Sequence, residues 1–134
     1  MSTPEERPRH HQIGEVAAET ELSIKTIRHY DEVGLVAPSA RSAGGFRLYT
    51  DSDIDRLLVI RRMKPLGFTL EDMRRLLEAE DVLDDPHSTV AQTDVARTSV
   101  ADFQTRAEEA CVKLARQLDY ARELTAQLAT RLSR

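Results

Sequence analysis

The 134-residue chain contains no tryptophan, and aromatic residues make up only 4% of it. Rings supply the most buried area per residue, so their scarcity speaks against one large compact core and for a small helical domain with an aliphatic helix attached. A single cysteine, Cys111, excludes an internal disulfide and any cysteine-rich zinc or iron–sulfur site within one chain. Five glycines and five prolines are too few for a fibrous or disordered chain. No apolar run approaches the ~20 residues of a membrane helix, and residues 1–12 lack the apolar core of a secretion signal. These absences predict a soluble, cytoplasmic protein without a membrane partner, built as one small domain plus an extension.

Net charge is −4, which taken globally argues against a nucleic-acid binder. Its distribution argues otherwise. Between residues 41 and 64, six bases (Arg41, Arg47, Arg56, Arg61, Arg62, Lys64) face three acids (Asp51, Asp53, Asp55), whereas from residue 79 onward ten acids oppose seven bases. A polyanion senses charge within roughly a Debye length, about 10 Å at 0.1 M salt, so a distant acidic segment does not veto a basic face.

Residues 1–11 read as a loose leader, with His10 and His11 as solvated residues without the further ligands a metal needs. Ile13, Val16 and Ala17 then mark one face of a short helix. After a break at Thr20-Glu21-Leu22, Ser23 offers an N-cap, and Ile24, Ile27 and Val33 form the inner stripe of a second helix over residues 24–33 that Gly34 ends. Two short helices separated by three residues have helix-turn-helix spacing. Pro38 biases the chain to an extended form. Gly44-Gly45 then supplies a tight turn before the alternating Phe46, Arg47, Leu48 and Tyr49, which predicts a β-ribbon, a wing, with Arg41 and Arg47 flanking its tip.

Asp51 is placed to cap a third helix carrying Ile54, Leu57 and Leu58, ended near Lys64–Leu66 by Pro65 and Gly67. Thr69 and Asp72 approximate a capping box for a fourth helix with Leu70, Met73, Leu76 and Leu77 inside, ending near Ala79. Residues 80–88 read as an acidic linker. From residue 89 to 134 neither glycine nor proline occurs. The row Val100, Gln104, Ala107, Cys111, Leu114, Leu118, Ala121, Thr125, Leu128, Leu132 recurs at three- and four-residue spacing, and eight of its ten members are apolar. That is a coiled-coil seam on a helix starting anywhere from residue 89 to 102. Its own chain has no spare face to cover it, so a second copy is the simplest partner.

Two residue sets carry the chemistry. On the second helix Lys25, Thr26, Arg28, His29 and Tyr30 face outward, with Lys25 and Arg28 on one side, as base-edge and phosphate donors on a major-groove helix must be. On the wing, Arg41 and Arg47 offer forked donors and Tyr49 a hydroxyl to phosphate. For Tyr49 a core position at the ribbon–helix junction stays open.

The ordered runs Ile13-Gly14-Glu15-Val16-Ala17, Ser23 to Asp31, Gly34-Leu35-Val36, Gly45-Phe46-Arg47-Leu48-Tyr49 and Leu66-Gly67-Phe68-Thr69-Leu70 resemble the DNA-binding domain of the MerR (mercury-resistance regulator) family, over residues 12–79. The resemblance implies a mainly α fold: a winged helix-turn-helix followed by a long antiparallel coiled-coil helix that forms a homodimer. It implies a palindromic promoter site whose spacer DNA the regulator distorts so that RNA polymerase engages both elements. By matching position, Lys25, Thr26 and Arg28 contact the major groove, with Ser23 and His29 beside them. Tyr30, Arg47 and Tyr49 hold phosphates, and Arg41 is a wing candidate. The dimer interface takes Ala107, Cys111, Leu114, Leu118, Ala121, Leu128 and Leu132.

The chain departs from the family at His29 and Phe46, where tyrosine is usual, and at Pro65. Metal-sensing members carry a cysteine at the start of the dimer helix and another in a following loop. Here Cys111 lies inside the helix, so two thiolates meet only if both copies of Cys111 lie near the dimer axis, and a free cysteine acting as a small hydrophobe is the expectation. The expected form is short, with no C-terminal effector domain, no metal, no cofactor and no effector legible. No nucleophile–base set or phosphate loop points to an enzyme. An architectural DNA-bending protein and a coiled-coil scaffold are the competing classes.

Overall fold

The computed structural model describes residues 9–134, so most of the expected leader (residues 1–8) lies outside the described residues. The elements run β1 (His11–Gln12), α1 (Ile13–Thr20), α2 (Ile24–Glu32), β2 (Ala40–Arg41), β3 (Arg47–Tyr49), α3 (Asp51–Met63), a 3-10 turn (Lys64–Leu66), α4 (Leu70–Asp84) and α5 (Val90–Leu132). The chain divides into two compact units, at Leu77 and Glu78.

The first unit carries the helix-turn-helix and the wing. Its core is Val16 of α1, Ile27 and Tyr30 of α2, Tyr49 of β3, Ile54, Leu57, Ile60 and Met63 of α3, and Met73 and Leu77 of α4. The helices stop where the backbone leaves the right-handed region: Glu21 at φ 59° after α1, Gly34 at φ 72° after α2, Gly67 at φ 84° before α4. Pro65 sits in the 3-10 turn that ends α3, as expected. Thr69 and Asp72 form the expected box, each backbone N–H donating to the other's side chain at 3.0 and 3.1 Å.

Several expectations need correcting. The cap of α3 is Thr50, one residue before Asp51, with its hydroxyl accepting from Asp53 N at 3.1 Å. Asp53 is buried, because its Oδ2 accepts from Ser39 N, Ser39 Oγ and Thr50 N, fastening the start of the wing to α3. Ile24 and Leu70, expected inside, are exposed, since each opens its helix at the surface. Of the two turn glycines only Gly45 has a positive φ, and Phe46 lies exposed at the wing tip, outside the strand.

The largest correction is at the N-terminus. His11 is 3% exposed and pairs with Tyr49 in a three-stranded antiparallel sheet of order β1-β3-β2. Its Nε2 lies 2.7 Å from Asp51 Oδ1 and its Nδ1 3.3 Å from Glu15 Oε2. A ring nitrogen facing a carboxylate on each side suits the imidazolium, in which both nitrogens donate.

In the second unit, residues 80–84 of the expected linker continue α4 as helix, and α5 starts at Val90, close to the earliest position considered. Thr89 caps α5 in a reciprocal pair with Gln92, at 3.1 and 2.8 Å. Its 43 residues make a rod of about 65 Å.

The hydrogen bond to Asp51, then that to Glu15, raises the pKa of His11 above its ordinary 6.5. A pKa raised by folding stabilises the fold fully below the unfolded value, and that contribution is lost as pH rises through the folded value. Chemical denaturation is therefore expected to show stability falling as the solution passes from mildly acidic to alkaline across that range. His11→Gln should flatten the dependence; an identical pH profile in that variant would contradict the ion-pair assignment.

Candidate nucleic-acid interface

Helix α2 starts where it does because Ser23, in an extended conformation, accepts from Thr26 N at 3.0 Å, while its own hydroxyl donates to Thr26 Oγ1 at 2.8 Å. With the start fixed, the helical period buries Ile27 and Tyr30 and turns Lys25, Arg28 and His29 to solvent. The far end is held from α4. The Arg74 guanidinium donates to the carbonyls of Gly34 and Val33 at 3.0 and 3.1 Å, satisfying groups a helix C-terminus leaves open. Arg61 does the same for α1 through Thr20 O at 2.9 Å. This cation of the basic stretch is thus committed to the fold.

The wing depends on a residue to which the sequence reading gave no role. Arg41 and Arg47 lie directly opposite each other in the β2–β3 register, and like charges so placed repel. Asp31, on α2, resolves the conflict: its Oδ2 accepts from Arg47 Nε at 2.7 Å and from Arg41 Nη2 at 3.3 Å. One carboxylate, itself 15% exposed, bridges the pair, leaves it one net positive charge and ties the wing to the second helix. The Asp31 bond raises the Arg47 pKa above its already high ordinary value. Arg41 stays half exposed, while Arg47 is more enclosed. A wing carrying two opposed arginines signals the need for a counter-charge, but only the fold says which acid supplies it.

Between these parts lies a cleft of about 160 Å³ lined by Gln12, Ile13, Gly14, Arg28, Gly45, Phe46 and Arg47. Its lining brings the first residues of α1 beside two arginines, one from α2 and one from the wing. The helix carrying Ile13 and Gly14 was expected from the sequence, but its place beside the wing depends on the fold.

Tyr30, expected to face outward, is buried at 2% exposure, and Tyr49, for which a core position was open, is buried at 0%. β3 is the middle strand, and the face on which Arg47 meets α2 runs two residues later into the core, where Tyr49 lies. The Tyr49 hydroxyl has no partner among the described residues, and burial raises its pKa. Along α5, Ala107 is half-buried, and Cys111, Leu114, Leu118, Ala121, Leu128 and Leu132 are exposed on the single chain. Among the described residues no group of three or more His, Cys, Asp or Glu side chains is placed to hold a metal ion. No helix there is long and apolar enough to cross a membrane.

A capped second helix with outward cations and an arginine wing tied to it define a winged helix-turn-helix module. Comparison with known proteins agrees. The family described as MerR HTH family regulatory protein matches residues 12–80, and the one described as MerR, DNA binding matches residues 54–131. The chain belongs to the MerR family. Nodulation protein NolA of Bradyrhizobium sp. (strain NC92) is 35% identical over 102 residues, 74% of this chain and 43% of NolA. The HTH-type transcriptional regulator ZntR of Escherichia coli (strain K12) is 41% identical over 83 residues, 62% of this chain and 57% of ZntR. The chain thus spans about half the length of these curated relatives. The crystal structure of HiNmlR, a MerR family regulator lacking the sensor domain and bound to promoter DNA, superposes with a TM-score of 0.66 at 24% identity, over 90% of this chain and 89% of that one. That likeness is one of fold.

An orphaned buried hydroxyl costs about 1–3 kcal/mol relative to a satisfied one. Tyr49→Phe is therefore expected to leave the unfolding free energy in urea unchanged or higher. A clear loss of stability would mean that the hydroxyl has a partner.

Proposed function

We propose that the chain is a DNA-binding transcription regulator. In this reading it binds a palindromic promoter site as a homodimer and distorts the spacer DNA to control access by RNA polymerase, in the cytoplasm and without catalysis. The observation that carries the proposal is the exposed row Lys25, Arg28 and His29 on α2, beside wing arginines fastened to that same helix by Asp31. Lys25, Thr26, Arg28 and His29 would face base edges in the major groove, with Ser23 at the capped end of the helix. Arg41 and Arg47 would take backbone phosphate, and the cleft at the start of α1 is of a size to seat one phosphate group. Bending a duplex costs of order 1–6 kcal/mol, which wing and cleft contacts would offset. The family membership and the regulator names of the relatives support this reading.

A footprint of the purified protein on its own promoter region is the first test, and an inverted repeat protected between promoter elements is expected. Lys25→Ala or Arg28→Ala should cost about 1–3 kcal/mol at that site and less on random duplex. Equal losses on both would assign these residues to the DNA backbone alone.

A further inference from the structure

Of the four histidines, His10, His29 and His87 are exposed and His11 alone is buried. Its side chain is 4% exposed, whereas the two carboxylates it bridges, Glu15 of α1 and Asp51 at the start of α3, lie at the surface. A neutral imidazole has one N–H, so it can serve only one of two carboxylates and turns a lone pair on the other. Burial keeps water from taking the lost partner's place at the ring. The protonated and neutral forms therefore demand different arrangements. The Asp51 bond, at 2.7 Å, is the one a neutral ring keeps, and the Glu15 contact, at 3.3 Å, is the one it gives up.

Glu15 does more than face His11. Its other oxygen accepts from Gln12 N at 3.4 Å and closes the capping box that starts α1. Gln12, Ile13 and Gly14 line the cleft beside Arg28 and Arg47. Gln12 also pairs with Leu48 of β3, in a strand pairing that spans only two positions. The charge on one buried ring is thus linked through a single carboxylate to the backbone of the cleft wall. The groups that face the ring are Asp51 from α3, Glu15 and Glu19 from α1, and Tyr49 opposite it on β3, while Arg9 ahead of it acts on Glu15. Three acids surround the ring, so loss of its proton leaves negative charge uncompensated beside the cleft and repels an anion there. Release of Glu15 and this repulsion act in the same direction.

We propose that His11 is a proton-dependent positioning residue for DNA binding, whose imidazolium holds the α1 end of the cleft in place for phosphate and whose neutral form releases Glu15 and weakens binding. This rests on the DNA binding of the proposed function and adds its dependence on pH. The bond to Asp51, then that to Glu15, raises the His11 pKa, and the His11 bond lowers that of Glu15. Affinity is accordingly full below the range in which folded His11 titrates and falls as pH rises through it. By reciprocity, bound DNA must raise the pKa of His11 by the same factor.

The test measures the affinity of the full chain for a fluorescent duplex of its own promoter region, from mildly acidic to alkaline pH at constant ionic strength, with circular dichroism at each point. The native protein is expected to lose about fivefold or more in affinity with its fold unchanged. Glu15→Gln should flatten the profile, because the amide can donate to the neutral ring while its oxygen still accepts from Gln12 N. Any contribution of the exposed histidines would persist in that variant. NMR of the histidine rings in the native protein, free and duplex-bound, reads the His11 titration without any substitution, and a higher pKa in the complex is expected. An affinity independent of pH, a profile as steep in Glu15→Gln as in the native protein, or the same His11 pKa in both states would overturn the proposal and leave DNA binding standing. No binding by the native protein at any pH would overturn the proposed function and this inference together.

Discussion

The carboxylate of Asp31 holds the candidate interface together. Two arginines facing each other across the β2–β3 pair repel, and that pairing spans only two residue positions. By accepting from both guanidinium groups, Asp31 converts that repulsion into an attachment between wing and α2. The remaining parts are arranged around this bond. Ser23 fixes where α2 begins, Arg74 holds its end, and Asp53 anchors the wing's leading segment to α3. The cations aimed outward are therefore carried on backbone that is fixed at several points, which lowers the ordering cost of binding a rigid polyanion.

The second unit poses the opposite problem. Its long helix has an apolar row that nothing among the described residues covers, with Leu118 and Leu128 about half exposed. Contiguous apolar surface of this kind marks an interaction site. In the proposed function, association through this helix and recognition through the winged module draw on separate parts of the chain.

Much of this was legible in the sequence. The helix-turn-helix, the wing and the long helix follow from apolar spacing, from Ser23 and Gly34, and from the absence of glycine and proline after residue 89. What the sequence hid depends on contacts between distant residues. His11 looks like a tail residue until β1 pairs with β3 and brings Asp51 to its ring. Tyr49 looks like a donor at a strand end until the middle strand turns it into the core. Asp31, Arg61 and Arg74 read as solvated charges because their partners lie 10 to 41 residues away. The end of α4 was set too early because acidic residues 80–84 suggested a linker, whereas the chain there continues as helix to Asp84.

The most direct test of the account is the affinity of Asp31→Ala for an inverted-repeat promoter duplex, measured across a range of salt concentrations with its fold checked by circular dichroism. Removing a negative charge beside a polyanion should, by charge alone, tighten binding. If Asp31 instead sets the wing arginines in place, the variant binds more weakly than the native protein at every salt concentration. Binding that is equal or tighter throughout would contradict the account.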